Sequence, residues 1–85
     1  MAMSEHDIQV HLGEIVHEVI NRIPADEVTP EKNFVNDLAV DSLSMIEIAL
    51  IAQERFDMDI PDTDMQDFKT VQDVIGYVHG AKVAS

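Results

Sequence analysis

The chain has 85 residues, with seventeen acidic residues against five Lys and Arg, a net charge of −12 and no cysteine. That length supports one small domain, the missing cysteines exclude disulfide staples, thiolate metal sites and a cysteine nucleophile, and the charge argues against nucleic acid and anionic membranes as partners. With three Phe and one Tyr, the core must be built mostly from Ile, Val, Leu, Met and Ala.

The opening MAMSEHD is acidic and lacks an apolar run, so no leader is expected. Residues 4–23 then read as a helix. Ser4 is a suitable N-cap, Asp7 three positions on completes a capping box, and Ile8, Leu12, Ile15, Val16, Val19 and Ile23 recur at helical spacing until Pro24 stops the pattern. Residues 24–40 read as a long connection in which Val28, Phe34, Val35 and Leu38 pin the chain to the core and Thr29-Pro30 opens a short helical turn. A second helix spans residues 41–56. Pro61 begins a short third helix through Met65 and Phe68. Thr70 starts the last helix, again with an acid, Asp73, three residues on. Val71, Val74, Ile75 and Val78 form its stripe, Gly80 is the expected stop, and 80–85 the expected flexible tail. The fold class is all-α: a four-helix bundle of three main helices and a short third one, in a single domain over 1–85 with its core at 4–79. The near-apolar stretch at 48–52 is too short to span a bilayer, so membrane insertion is not expected and the cytoplasm is the default compartment.

The second helix carries more apolar surface than a bundle helix needs. At 100° per residue, Met45, Ile48, Ala49, Ala52 and Phe56 share one side, the core stripe. Leu43, Ile46 and Leu50 fall together elsewhere, with Glu47 and Glu54 along the edge. This helix packs on two sides, or the second stripe is a docking face whose acids steer a basic partner, and the two readings are compatible if Ile46, between the stripes, does both.

Ser42 follows a good N-cap, Asp41, and sits in the first turn of this helix. It lacks the Gly-x-Ser-x-Gly context of a hydrolase nucleophile, and the histidines, at positions 6, 11, 17 and 79, are far along the chain. A helix start does suit a phosphate, so a phosphodiester on Ser42 would be well placed. DMDIPDTD fails the calcium-loop pattern, which needs Gly at position six and Glu at twelve. Glu14-x-x-His17 has one copy of a spacing that di-iron bundles use twice. No metal site is expected.

DLAVDSLSMIEIALIAQERFDMDIPD, followed by KTVQDVIGYV, resembles the acyl carrier proteins of fatty-acid and polyketide synthesis over residues 4–79. The form DSLSMIEI is most similar to the discrete type II carriers of actinobacteria, including the meromycolate-extension type. The resemblance implies a 4'-phosphopantetheine arm on Ser42, attached by a transferase that uses coenzyme A and Mg²⁺, with Asp41 helping to hold that Mg²⁺. The arm's thiol, not a cysteine of the chain, would hold growing acyl groups as thioesters. It implies a monomeric carrier, not an enzyme. The implied partners are the transferase and the malonyl transferase, ketosynthases, reductases and dehydratases of type II fatty-acid synthesis. Leu43, Ile46, Glu47, Leu50 and Glu54 match the family's docking positions. Ile46, Ala49, Phe56, Ile60 and Ile75 match the lining of its acyl cavity. Ser44, Gln53 and Arg55 stand where well-known bacterial carriers have further acids, which implies weaker steering. A polyketide carrier and an unmodified acidic interaction module are the alternatives.

Overall fold

The computed structural model describes residues 3–84. Four helices follow in chain order: α1 (Glu5–Val19), α2 (Ser42–Phe56), α3 (Asp62–Met65) and α4 (Val71–Ala84). Among the described residues there is no strand, only one isolated antiparallel bridge between Asn33 and Thr70. The all-α expectation therefore holds, with the short third helix in place.

α1 begins as its sequence dictates. Ser4 Oγ accepts the Asp7 N–H at 3.1 Å, and Asp7 Oδ2 accepts the Ser4 N–H at 3.4 Å. The helix ends at Val19, four residues before the apolar spacing does. Ile20 has left helical geometry (φ −127°, ψ 92°) although its N–H still reaches the Val16 carbonyl. His17 Nδ1 lies 2.8 Å from the Ile23 carbonyl and Asn21 donates to the His17 carbonyl at 2.9 Å. This turn delivers Ile23 to the core without the helix, so the periodicity placed the side chain rightly and the backbone wrongly.

The connection to α2 differs in detail from expectation. Its helical turn is a 3-10 turn at Ala25–Glu27, directly after Pro24, rather than at Thr29-Pro30. The turn packs on Gly13 of α1, where a Cβ would lie 2.5 Å from the Ala25 carbonyl oxygen, an approach only glycine permits. Val28, Phe34 and Leu38 are buried, whereas Val35 is 64% exposed and does not pin the loop. Asn33 explains this. Its Oδ1 accepts the N–H groups of Val35 and Asn36, both at 2.9 Å, curling the chain so that Phe34 turns inward and Val35 outward. The Phe34 N–H donates to the Lys69 carbonyl at 3.0 Å and the Val71 N–H to the Lys32 carbonyl at 2.9 Å, tying the loop to the start of α4.

α4 also opens with the expected capping box, Asp73 Oδ2 accepting from Thr70 and Lys69 N–H, both at 2.9 Å, and Thr70 Oγ1 accepting from Asp73 N–H at 3.2 Å. It does not stop at Gly80. No glycine among the described residues has a positive φ, so Gly80 is an ordinary helical position, and the stretch expected to be a flexible tail is helical as far as Ala84. Met1, Ala2 and Ser85, the ends of the expected 1–85 domain, lie outside the described residues.

α1, α2 and α4 share one aliphatic core holding Ile8, Leu12, Ile48, Phe56, Val71 and Ile75, with no buried polar side chain among the described residues. Each such residue contributes about 1.5–3 kcal/mol before conformational entropy is subtracted. Among the described residues no helix is long and apolar enough to cross a membrane.

Candidate functional site

The start of α2 is held from both sides. Downstream, Asp41 is its N-cap: Oδ1 accepts the Ser44 N–H at 2.7 Å and its carbonyl accepts the Met45 N–H at 3.0 Å. The Ser44 N–H, then the Ser44 hydroxyl, hold the Asp41 carboxyl below its ordinary range, so it stays ionised. Upstream, Val40 is buried and donates its N–H to the Phe34 carbonyl at 2.8 Å. Before it, Ala39 adopts a left-handed φ of 54°. Arg22, from the turn after α1, donates to the carbonyls of Leu38 at 3.2 Å and Ala39 at 2.9 Å.

Ser42 is the first residue of the helix and is exposed. Its hydroxyl has no hydrogen-bond partner among the described residues. No acid occupies the first turn of α2, so the positive end of the helix is countered only by the cap. A negative group on Ser42 Oγ would sit where helix N–H groups favour it.

Beside Ser42 lies a cleft of about 550 Å³. Asp41, Ser42, Asp62 and Gln66 contribute its polar lining, and Val35, Val40, Met45, Ile46, Met65 and Phe68 its apolar lining. Of the five residues expected to line an acyl cavity, Ile46 is here. Ala49, Phe56, Ile60 and Ile75 are each no more than 4% exposed and lie in the closed core. Nothing in the sequence pattern marks Val40, Met45, Met65 or Phe68 as site residues. Val35 carried the one usable signal, an apolar residue outside any helical stripe.

The two readings of the second stripe are also separated. Leu43, Ile46 and Leu50 are 71%, 48% and 54% exposed, and Glu47 and Glu54 are exposed as well. The stripe does not serve a second packing contact. All three departures from the carrier pattern have structural duties, Ser44 at the Asp41 cap and the other two further along the helix. Gln53 Oε1 accepts the Ile60 N–H at 3.1 Å, and Arg55 binds Glu14 at 3.0 Å and approaches Glu18 at 3.9 Å. Arg55 thus fastens α2 to α1 rather than facing a partner.

The competing sites dissolve in the same geometry. Glu14 is taken by Arg55, and His17 by the Ile23 carbonyl, so the Glu-x-x-His pair does not converge. Among the described residues no group of three or more His, Asp or Glu could hold a metal ion. None of the four histidines lines the cleft beside Ser42.

Residues 11–78 match the family model described as the phosphopantetheine attachment site. The chain belongs to the acyl carrier protein family. It is 56% identical over 78 residues to the acyl carrier protein of Thermobifida fusca, covering 92% of this chain and 98% of that protein. It is 47% identical over 78 residues to the meromycolate extension acyl carrier protein of Mycolicibacterium aurum, covering 92% and 79%. Its structure is similar to that of the acyl carrier protein from Enterococcus faecalis, with a TM-score of 0.73 at 28% identity over 92% of this chain and 98% of that one. Phosphopantetheine is the group this family carries, and an acyl carrier without cysteine needs such a group for its thiol. The exposed hydroxyl at the head of α2, with an apolar cleft beside it, fits the group chemically.

Proposed function

We propose that Ser42 receives the phosphopantetheine arm, and that the chain, itself no catalyst, is a monomeric shuttle for acyl groups of fatty-acid synthesis. The observation that carries this is the exposed Ser42 hydroxyl at the start of α2, without a partner among the described residues and bordering the cleft, in a chain of the carrier family. The arm supplies a thiol for a thioester. The protein's own residues do the rest. Asp41 fixes the helix start through one carboxylate oxygen, Oδ1, and its ionised carboxyl is a ligand for the transferase's Mg²⁺. Val35, Met45, Ile46, Met65 and Phe68 shelter the arm or its acyl chain from water. Ala49, Phe56, Ile60 and Ile75 are the core residues a longer chain would meet if it parted the bundle.

Leu43, Ile46 and Leu50, with Glu47 and Glu54, are the face on which the transferase and the synthase enzymes dock. Apolar anchors beside carboxylates suit a basic rim around an apolar groove. With Arg55 tied to α1, steering rests on Glu47 and Glu54. The kinship with carriers named for meromycolate extension favours acyl-chain extension over polyketide duty.

The test is intact mass after incubation with a phosphopantetheinyl transferase, coenzyme A and Mg²⁺. One phosphopantetheinyl group should be added to the wild type and none to Ser42→Ala. A wild type left unmodified by several competent transferases, or a Ser42→Ala protein that is still modified, overturns the assignment.

A further inference from the structure

One wall of the cleft is held by half-buried contacts rather than by fully buried side chains of its own. Asp62, Met65, Gln66 and Phe68, four of its ten lining residues, come from α3 and the turn after it. No residue of α3 is buried. The backbone hydrogen bonds donated by residues 64–68 all close locally, on Pro61, Asp62, Asp64 and Met65. The segment is anchored at its ends. Ile60 is buried and bound to Gln53 Oε1, and the Lys69 carbonyl accepts from Phe34. Between those anchors Met65 and Phe68 rest half-buried against the core, and one side-chain hydrogen bond reaches across from α4. Tyr77 donates its hydroxyl to Asp64 Oδ2 at 2.7 Å, and its ring meets Phe68 edge-on, with centroids 5.3 Å apart and planes at 74°.

We propose that Tyr77 is a positioning residue for the cleft: through Asp64 and Phe68 it sets how far the α3 wall stands from α2, and so how well the cleft retains the chain carried beside it. The cargo side of this rests on the assignment of the arm to Ser42. The position of the wall does not. Residues 62–68 cannot move outward as a body without breaking the hydroxyl bond and the ring contact together. Met45 on α2 and Met65 on α3 both line the cleft. Their flexible side chains adapt to what lies between them, which leaves Tyr77 to fix the gap. A hydrogen bond to a carboxylate also ties the latch to one acceptor.

Tyr77→Phe removes the hydroxyl and keeps the ring. Amide hydrogen exchange of residues 62–68 in the unmodified protein should then speed up by about five- to tenfold, the effect of losing roughly 1–1.4 kcal/mol. Exchange in α1 should not change. Asp64→Ala should match Tyr77→Phe, Asp64→Asn, which keeps an acceptor, should lie near the wild type, and the double variant should add nothing. The second readout uses protein loaded from octanoyl-coenzyme A or acetyl-coenzyme A by the transferase, with loading verified by mass. Cleavage of the octanoyl thioester by hydroxylamine should be slower than that of the acetyl thioester in the wild type, and this protection should shrink in Tyr77→Phe. Unchanged exchange over 62–68, or a loaded protein whose protection ignores Tyr77→Phe, overturns the latch. A chain that accepts no arm overturns the Ser42 assignment and the cargo with it, while the exchange result still judges the wall.

Discussion

Ala39 holds a backbone conformation its side chain opposes. Its φ of 54° is left-handed, and a Cβ there costs about 1–2 kcal/mol. Asp57 is left-handed too, at φ 52°, but it caps the C-terminus of α2, where a short polar side chain tolerates that geometry. Ala39 stands two residues before Asp41, and Arg22 holds it by two carbonyl bonds. The strain is therefore maintained by the surroundings that aim Ser42. Ala39→Gly should raise unfolding stability by about 0.5–1 kcal/mol, the relief of strain being partly offset by the freer unfolded chain. Urea denaturation should show the midpoint rising with an unchanged slope; a lower midpoint refutes the strain. That Asp41 caps α2 and Ser42 opens it was legible in the sequence because capping is local chemistry. Arg22 was not, because its contacts lie 16 and 17 positions away, and a left-handed alanine leaves no mark in the sequence.

At the scale of elements, caps and stripes were legible and lengths were not. The capping boxes at Ser4 and Thr70 formed as written, since each needs only two residues three apart. The second carries a pH dependence. The N–H groups of Thr70 and Lys69 hold the Asp73 carboxyl below its usual range. A depressed carboxyl adds stability above its unfolded pKa, and that stability is lost as pH falls through the folded value. Asp73→Ala should therefore cost about 1 kcal/mol near neutral pH, and the difference from the wild type should narrow on acidification below the ordinary carboxylate range. Thermal unfolding across pH checks this; a constant difference down to strongly acidic pH contradicts it. Helix ends were less legible. α1 stops at Val19 because the His17 and Asn21 contacts make a turn, although Ile23 keeps the helical spacing. α4 passes Gly80 because glycine ends a helix only when the chain needs a left-handed residue there. The surplus stripe of α2 was visible in the spacing, but whether it is covered depended on the packing of α1 and α4. The cleft was invisible for the same reason, since its walls come from residues 35–46 and 62–68.

The whole molecule must hold seventeen carboxylates within extents of 34 × 26 × 20 Å. At 0.1 M salt charges interact over about 10 Å, so at low salt much of this charge repels itself. Few cations offset it. Arg55 forms the ion pairs with Glu14 and Glu18, while Arg22 is spent on backbone carbonyls. Added salt should therefore stabilise the fold. About 1 kcal/mol corresponds to about 4–8 °C in a domain of this size, so the melting temperature should rise by several degrees from low salt to 0.15 M NaCl. Mg²⁺ should act more strongly at equal ionic strength, because a divalent ion concentrates further around a surface of net charge −12. With no cluster of three or more metal-ligating His, Asp or Glu among the described residues, the response should be graded, and calorimetry should show weak association without a tight stoichiometric step. A melting temperature that stays flat across both titrations means the acids are far enough apart not to matter. A sharp one-to-one Mg²⁺ isotherm means a defined site, and either result overturns the picture of a diffusely repelling surface.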